Sequence, residues 1–145
     1  MMELDLIELT GKKEICETYD IYKACMYMPT EEKFNKKIEA FLNDDSVKIF
    51  VCLYQKEIKG MVVVSFLERH KIEIIGIAVD STARTKGIGS YMINCLVDAY
   101  GLVLVLAETD DDAVGFYRKN GFAITEIAKT YDGETVVRYQ CELVK

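Results

Sequence analysis

One histidine, His70, and five cysteines without a single C-x-x-C pair leave the chain without the clustered ligands of a zinc site. No apolar run approaches the ~18–20 residues of a membrane span. No long polar or low-complexity tract marks disorder. Basic residues are also in deficit: 18 Lys and Arg against 24 Asp and Glu give a net charge of −6, and the sequence pI is near 4.9. Bulk nucleic-acid binding rests on a basic surface, so a nucleic-acid partner is not expected. A polyanionic ligand would have to be held by a local site. The acidic balance fits a cationic substrate such as an amine, and it equally serves solubility alone. The odd cysteine count (Cys16, Cys25, Cys52, Cys95, Cys141) and the absence of a signal peptide point to a reducing, cytoplasmic setting.

What is present fits one domain over residues 1–145: half of the residues are hydrophobic, enough for a sizeable core. Glu3–Leu9 alternates as a half-buried strand does. From Lys12 to Met28 the positions Ile15, Tyr19, Tyr22 and Met26 recur at helical spacing, and Thr30 is the N-cap of a second helix carrying Phe34, Ile38 and Phe41 on one face. Val47–Tyr54, Gly60–Glu68 and Ile72–Val79 read as strands, the first two joined by a turn at Gln55–Lys59. Ile88, Met92, Cys95, Leu96 and Ala99 lie on one face of a helix ending at Gly101. Leu102–Ala107 is wholly apolar, as a strand buried on both faces would be. A short helix over Asp110–Asn120 stops at Gly121, and a hairpin closes the chain: Phe122–Thr130, a turn at Tyr131-Asp132-Gly133, then Thr135–Val144. The order β-α-α-β-β-β-α-β-α-β-β predicts one mixed α/β domain.

The chemistry concentrates in the loop from Val79 to Gly89. Glycines let backbone N–H groups face a ligand, and a helix start supplies unpaired donors and a positive dipole end. Arg84 and Lys86 add full charge, so the loop can cradle a diphosphate even in an acidic chain. A P-loop fails because Gly87-Ile88-Gly89 is not followed by Lys and Ser or Thr in place. A dinucleotide fingerprint fails because its third glycine position holds Met92. What remains is Arg84-x-x-Gly87-x-Gly89 after the strand Ile77-Ala78-Val79.

That motif resembles the pyrophosphate-binding signature of the GNAT superfamily of N-acetyltransferases, and the element order matches that fold along nearly the whole chain. A second stretch, Ala113-x-x-Phe116-Tyr117-x-x-x-Gly121-Phe122, is similar to the family's next signature. The resemblance implies a mostly antiparallel sheet flanked by helices. It implies acetyl-CoA as cosubstrate, with backbone N–H groups of Thr85, Lys86, Gly87, Ile88, Gly89 and Ser90 on its pyrophosphate beside Arg84. The backbone of Ile77, Ala78 and Val79 would pair with the pantetheine arm like an added strand. Gly76 within that strand marks a bulge or a close approach. The family often has Asn three residues before the alanine, contacting the pantetheine; this chain has Asp110, whose acid serves equally well to cap a helix.

Acyl transfer expels a thiolate, and a phenol aimed at that sulfur can donate to it. In the family a tyrosine at the position of Tyr117 often does so; otherwise Tyr117 packs as a core residue. An alkylamine of pKa near 10.4 is only about 0.04% neutral at pH 7, so a base or a water chain must take its proton. Glu73 matches the strand position of the catalytic glutamate in certain histone acetyltransferases, and simple alternation puts it on one face with Ile75, Ile77 and Val79. A pairing with Lys71 is the plainer role. Glu108 is a second candidate. Cys95, on an apolar helix face, and His70, in a polar turn, give no case for covalent catalysis.

These residues predict direct acetyl transfer from acetyl-CoA to a primary amine, with Tyr117 and Glu73 catalytic and no metal. A catalytically inactive CoA-binding regulator is the alternative. The acceptor would be chosen by the first helices and the last hairpin. Tyr19, Tyr22, Met26, Tyr27, Met28, Tyr131 and Tyr139 there line a pocket or form core and a homodimer contact.

Overall fold

The computed structural model describes residues 3–145, and the side chain of Thr85 lies outside that description. Seven strands form one sheet in the order β1-β2-β3-β4-β5-β7-β6. They are β1 (Leu4–Leu9), β2 (Val47–Tyr54), β3 (Glu57–Glu68), β4 (Lys71–Val79), β5 (Leu104–Thr109), β6 (Ala123–Tyr131) and β7 (Glu134–Val144). Every neighbouring pair is antiparallel except β4 with β5. The helices are α1 (Lys12–Cys16), α2 (Tyr19–Tyr22), α3 (Glu31–Leu42), α4 (Ile88–Tyr100) and α5 (Val114–Lys119). The expected mixed, mostly antiparallel α/β domain is what forms.

Each face of the sheet buries its own core. Ile15, Tyr22, Phe34 and Ile38 from α1–α3 pack on Leu9, Ile49, Val51, Met61 and Val63. On the other face Ile88, Met92, Ile93, Leu96 and Tyr117 from α4 and α5 pack on Val62, Val64, Ile72, Ile74, Val105 and Cys141. The helix capped by Thr30 is as expected: its Oγ1 accepts from Lys33 N–H at 3.1 Å, and Phe34 and Ile38 are buried.

Several expected boundaries move, each for a visible reason. The helical period over Lys12–Met28 does not make one helix. Thr18, with ψ near 8°, breaks it, and the Thr18 hydroxyl donates to the Ile15 carbonyl at 2.6 Å, where a helix would continue. Below α2 the chain tightens into a 3-10 turn, Lys23–Cys25, and Met26 leaves it extended. The β2–β3 turn shrinks to Gln55-Lys56, both at positive φ, and β3 starts at Glu57. Neither is the Gly or Asn that announces such a two-residue turn. Asp132-Gly133 makes the last hairpin the same way. Strand β5 is buried only at Val105, Ala107 and Thr109. Its other face is only partly covered, because the core that α1–α3 form takes in residues of β1–β3 and none of β5. The helix expected from Asp110 begins at Val114, since Asp110 stays outside it as a turn residue.

Candidate active site

Strands β4 and β5 pair only from Lys71–Leu104 to Ile74–Ala107. Beyond that rung they part: Glu108 and Thr109 continue against β7, while Gly76–Val79 stay with β3 alone. Asp80 N–H turns toward β3, donating to Lys59 O at 2.8 Å. Alternation then aims the N–H and C=O groups of Ile77 and Val79 at the opposite, open edge. There the Val79 carbonyl accepts from Arg84 Nε at 3.4 Å. A forked sheet with one free strand edge is a ready template for an extended ligand.

The fork is set by a bulge. Val63 pairs with Gly76 and Val64 with Ile74, leaving Ile75 without a partner. The extra residue shifts the phase of the strand. Ile72 and Ile74 point to the α4 core, and so do Ile77 and Val79 after the bulge. Glu73, paired with Ser65, therefore lies on the α1–α3 face and does not share a face with Ile77 and Val79. The expected common face is thus wrong, because simple alternation cannot see a bulge. Glu73 is exposed, one rung below the fork. Lys71 pairs instead with Glu68 at 3.2 Å.

After Val79 the chain enters a 3-10 turn, Ser81–Lys86, capped by Asp80. The Asp80 carboxylate accepts from Thr82 N–H at 2.9 Å and from the Thr82 hydroxyl at 2.8 Å, and the Thr82 N–H bond holds the Asp80 carboxyl below its usual range. Gly87, at φ 72°, is the left-handed hinge into α4. Helix α4 has no side-chain cap, so the N–H groups of Ile88, Gly89 and Ser90 in its first turn keep their donors for a ligand. Arg84, Lys86 and Gly87 are exposed, Ser90 half-buried, and Ile88 is core. The two glycines serve different ends. A Cβ at Gly87 would meet nothing, whereas one at Gly89 would lie 2.7 Å from the Phe116 ring. Gly89 therefore locks the first motif onto the second.

The second motif packs Tyr117 into the core on the α4 side of the sheet. Its ring stacks edge-on between Phe116 and Phe122, at 5.2 and 5.1 Å between centroids. It is 5% exposed; its hydroxyl has no hydrogen-bond partner among the described residues and is not sealed from solvent. Burial drives the phenol well above its ordinary range, so it stays protonated. Asp110 uses its Oδ1 to accept from Asp112 and Ala113 N–H, both at 3.1 Å. Glu108 is committed: Lys129 donates to one oxygen and Arg138 to the other at 3.3 Å, which lowers its carboxyl. A carboxylate held between two cations is a poor base.

Tyr22, expected to line a pocket or to form core and a dimer contact, is core beneath β4. Tyr22 lies under Gly76, where an added Cβ would stand 2.2 Å from the Tyr22 hydroxyl. The Cys25 thiol donates to the Tyr22 carbonyl at 3.2 Å. Burial pushes that thiol up to about 11. Neither residue belongs to a motif; the only hint was the glycine inside a β-rich strand. The other candidates separate. His70 donates from Nδ1 to the Tyr100 carbonyl at 2.9 Å, and Cys95 lies near Tyr91 and Cys52, so neither reaches the fork. Tyr19 and Met26 join the α1–α3 core, while Tyr27, Met28 and Tyr131 are exposed. Among the described residues no helix is long and apolar enough to cross a membrane, and no three His, Cys, Asp or Glu side chains group as metal ligands.

Comparison with known proteins agrees with this geometry. The model of the acetyltransferase (GNAT) family matches residues 15–122. A GNAT family acetyltransferase from Elizabethkingia anophelis, solved with acetyl-CoA bound, superposes with a TM-score of 0.70 at 19% identity, covering 98% of both chains. Ard1 from Thermoplasma volcanium gives 0.71 at 23% identity over 97% of both. A spermidine N-acetyltransferase chimera from Vibrio cholerae and hSSAT gives 0.74 at 16%, covering 97% of this chain and 95% of that one. At such identities the likeness is one of fold. No curated protein sequence matches. The family match spans both motifs and the fork between them: the chain belongs to the GNAT family of acetyltransferases.

Proposed function

We propose that this chain transfers the acetyl group of acetyl-CoA directly to a primary amine. One observation carries the proposal: the free edge of Ile77 and Val79 leads directly into a loop that ends at an uncapped helix start flanked by Arg84 and Lys86. The pantetheine arm would extend β4 along that edge. Its pyrophosphate would lie on the N–H groups of Thr85–Ser90, with Ala78 and Asp110 beside the arm. The Ile77 N–H would polarise the thioester carbonyl. The amine nitrogen attacks the carbonyl carbon, the C–S bond breaks, and the sulfur takes a proton from Tyr117. The ammonium proton leaves through Glu73 or water. Glu73 lies on the face opposite α4, so cofactor and amine would approach from opposite sides of the sheet.

Acetyl-CoA at a hundred times its Kd should stabilise the chain by about 2.7 kcal/mol, visible as a raised melting temperature. An amine panel including spermidine, a peptide N-terminus and a lysine peptide, followed by free-thiol release, identifies the acceptor. Stabilisation without turnover on any amine favours a CoA-binding regulator, and the absence of stabilisation sinks the enzyme. Glu73→Gln separates the base from water: a fall in turnover that steepens as pH drops supports Glu73.

A further inference from the structure

We propose that Lys23 supplies a second positive wall to the diphosphate site and passes from Asp20 to the cofactor when acetyl-CoA binds; the inference rests on the acetyl-CoA site proposed above. A cavity of about 260 Å³ opens where α2 and the 3-10 turn after it meet the end of β4. Asp20, Ile21 and Lys23 line it from the helix and the turn, and Val79, Asp80 and Arg84 line it from the strand end and the glycine loop. Arg84 already reaches the free edge of the strand, donating from Nε to the Val79 carbonyl at 3.4 Å. An arm laid along Ile77–Val79 would come to its diphosphate at this junction. A cation on the wall formed by the turn would therefore meet phosphate and not the acyl group.

The charges of the cavity select an anion. Asp20 and Asp80 stand against Lys23 and Arg84 there, and the two acids are engaged. The Asp80 carboxylate accepts from the Thr82 N–H and hydroxyl. Among the described residues Asp20 pairs with Lys23 alone, at 3.2 Å, and its side chain is 89% exposed against 47% for Lys23. The half-covered member of that pair is thus the cation, whose ammonium also lies 5.7 Å from the centre of the Tyr19 ring. An exposed pair of this kind contributes little, whereas a lysine on a phosphate oxygen makes a charge-assisted hydrogen bond. Phosphate in the cavity would therefore displace Asp20 from Lys23, and Lys23 and Arg84 would hold it from elements far apart in sequence.

Isothermal titration calorimetry of the full chain with acetyl-CoA reads the effect. Lys23→Ala should raise Kd about tenfold, the worth of one such bond, and Lys23→Arg, which keeps the charge, should recover most of the loss. Asp20→Asn removes the competitor and should lower Kd about twofold. Both Lys23→Ala and Asp20→Asn break the same ion pair, so a merely structural role would weaken binding in each. The Lys23→Ala loss should persist with 3′-dephospho-acetyl-CoA, which retains the diphosphate. An unchanged Kd in Lys23→Ala, equal weakening in Lys23→Ala and Asp20→Asn, or a loss that vanishes without the 3′-phosphate overturns this inference alone. An unmodified chain that does not bind acetyl-CoA overturns it together with the proposed function.

Discussion

Replacing Gly89 by alanine tests whether the two motifs form one mechanical unit. The new Cβ would stand 2.7 Å from Phe116 Cε1 and 2.9 Å from Cζ, well inside a carbon–carbon contact. Gly89 is buried in the first turn of α4, so the helix cannot step aside freely; the half-buried Phe116 ring must move, and it stacks on Tyr117. Overpacking of this kind costs about 1–3 kcal/mol. Alanine in a helix otherwise gains up to about 1 kcal/mol over glycine. The net effect of Gly89→Ala should be a loss of about 0–2 kcal/mol, equivalent to a melting temperature lower by up to about 8 °C in a domain of this size. The partition between the two effects is the informative part. In a Phe116→Leu background the obstructing ring edge is gone, and the same substitution should become neutral or stabilising. Urea denaturation of the four chains gives the coupling energy, expected at about 1–3 kcal/mol. Equal effects of Gly89→Ala in both backgrounds would refute the contact as the reason for glycine here.

Three further outcomes follow from the same geometry. Tyr117→Phe should leave the urea midpoint nearly unchanged, since the hydroxyl has no described partner, while CoA release in the amine assay falls about 10²-fold; unchanged turnover removes Tyr117 from the chemistry. Gly76→Ala should cost about 1–3 kcal/mol, because Tyr22 is buried and its hydroxyl would meet the new Cβ at 2.2 Å, and Tyr22→Phe in that background should recover part of the loss in the urea midpoint. Glu108, whose carboxyl is lowered from the ordinary 4.5 first by Lys129 and then by Arg138, contributes stability that is fully present above its unfolded value. That contribution is lost as pH falls from about 4.5 through the lower folded value. Denaturation at pH 7 and pH 3 should show a smaller acid-side loss for Glu108→Gln, and an identical loss would assign acid sensitivity elsewhere.

What the sequence disclosed, and what it withheld, divides along local and non-local physics. Strand β2, helix α3 behind Thr30 and the stop at Gly101 were legible because hydrophobic period, a cap and a glycine at φ 59° are properties of adjacent residues. The glycine loop from Val79 to Gly89 was legible for the same reason. The break at Thr18 was not, because a β-branched residue at helical spacing looks helical until its hydroxyl takes the Ile15 carbonyl. The committed state of Glu108 was equally hidden, since Lys129 and Arg138 reach it from β6 and β7, 21 and 30 residues away.

The bulge at Ile75 has the largest consequence for function. A strand read by alternation alone has one phase, and that phase put Glu73 beside Ile77. One unpaired residue reverses it. In the proposed acetyl transfer the reversal would separate two jobs. Beyond the bulge, Ile77 and Val79 turn to the α4 side, where the glycine loop begins. Before it, Glu73 faces the α1–α3 side, the side from which Tyr22 reaches Gly76. In that proposal a cofactor and an amine meet at one carbon, and a phase shift where β4 leaves β5 would let each approach from its own face of the sheet. Gly76 then makes sense as more than a marker: it is the residue after the slip, and only without a Cβ can it let Tyr22 close beneath the fork.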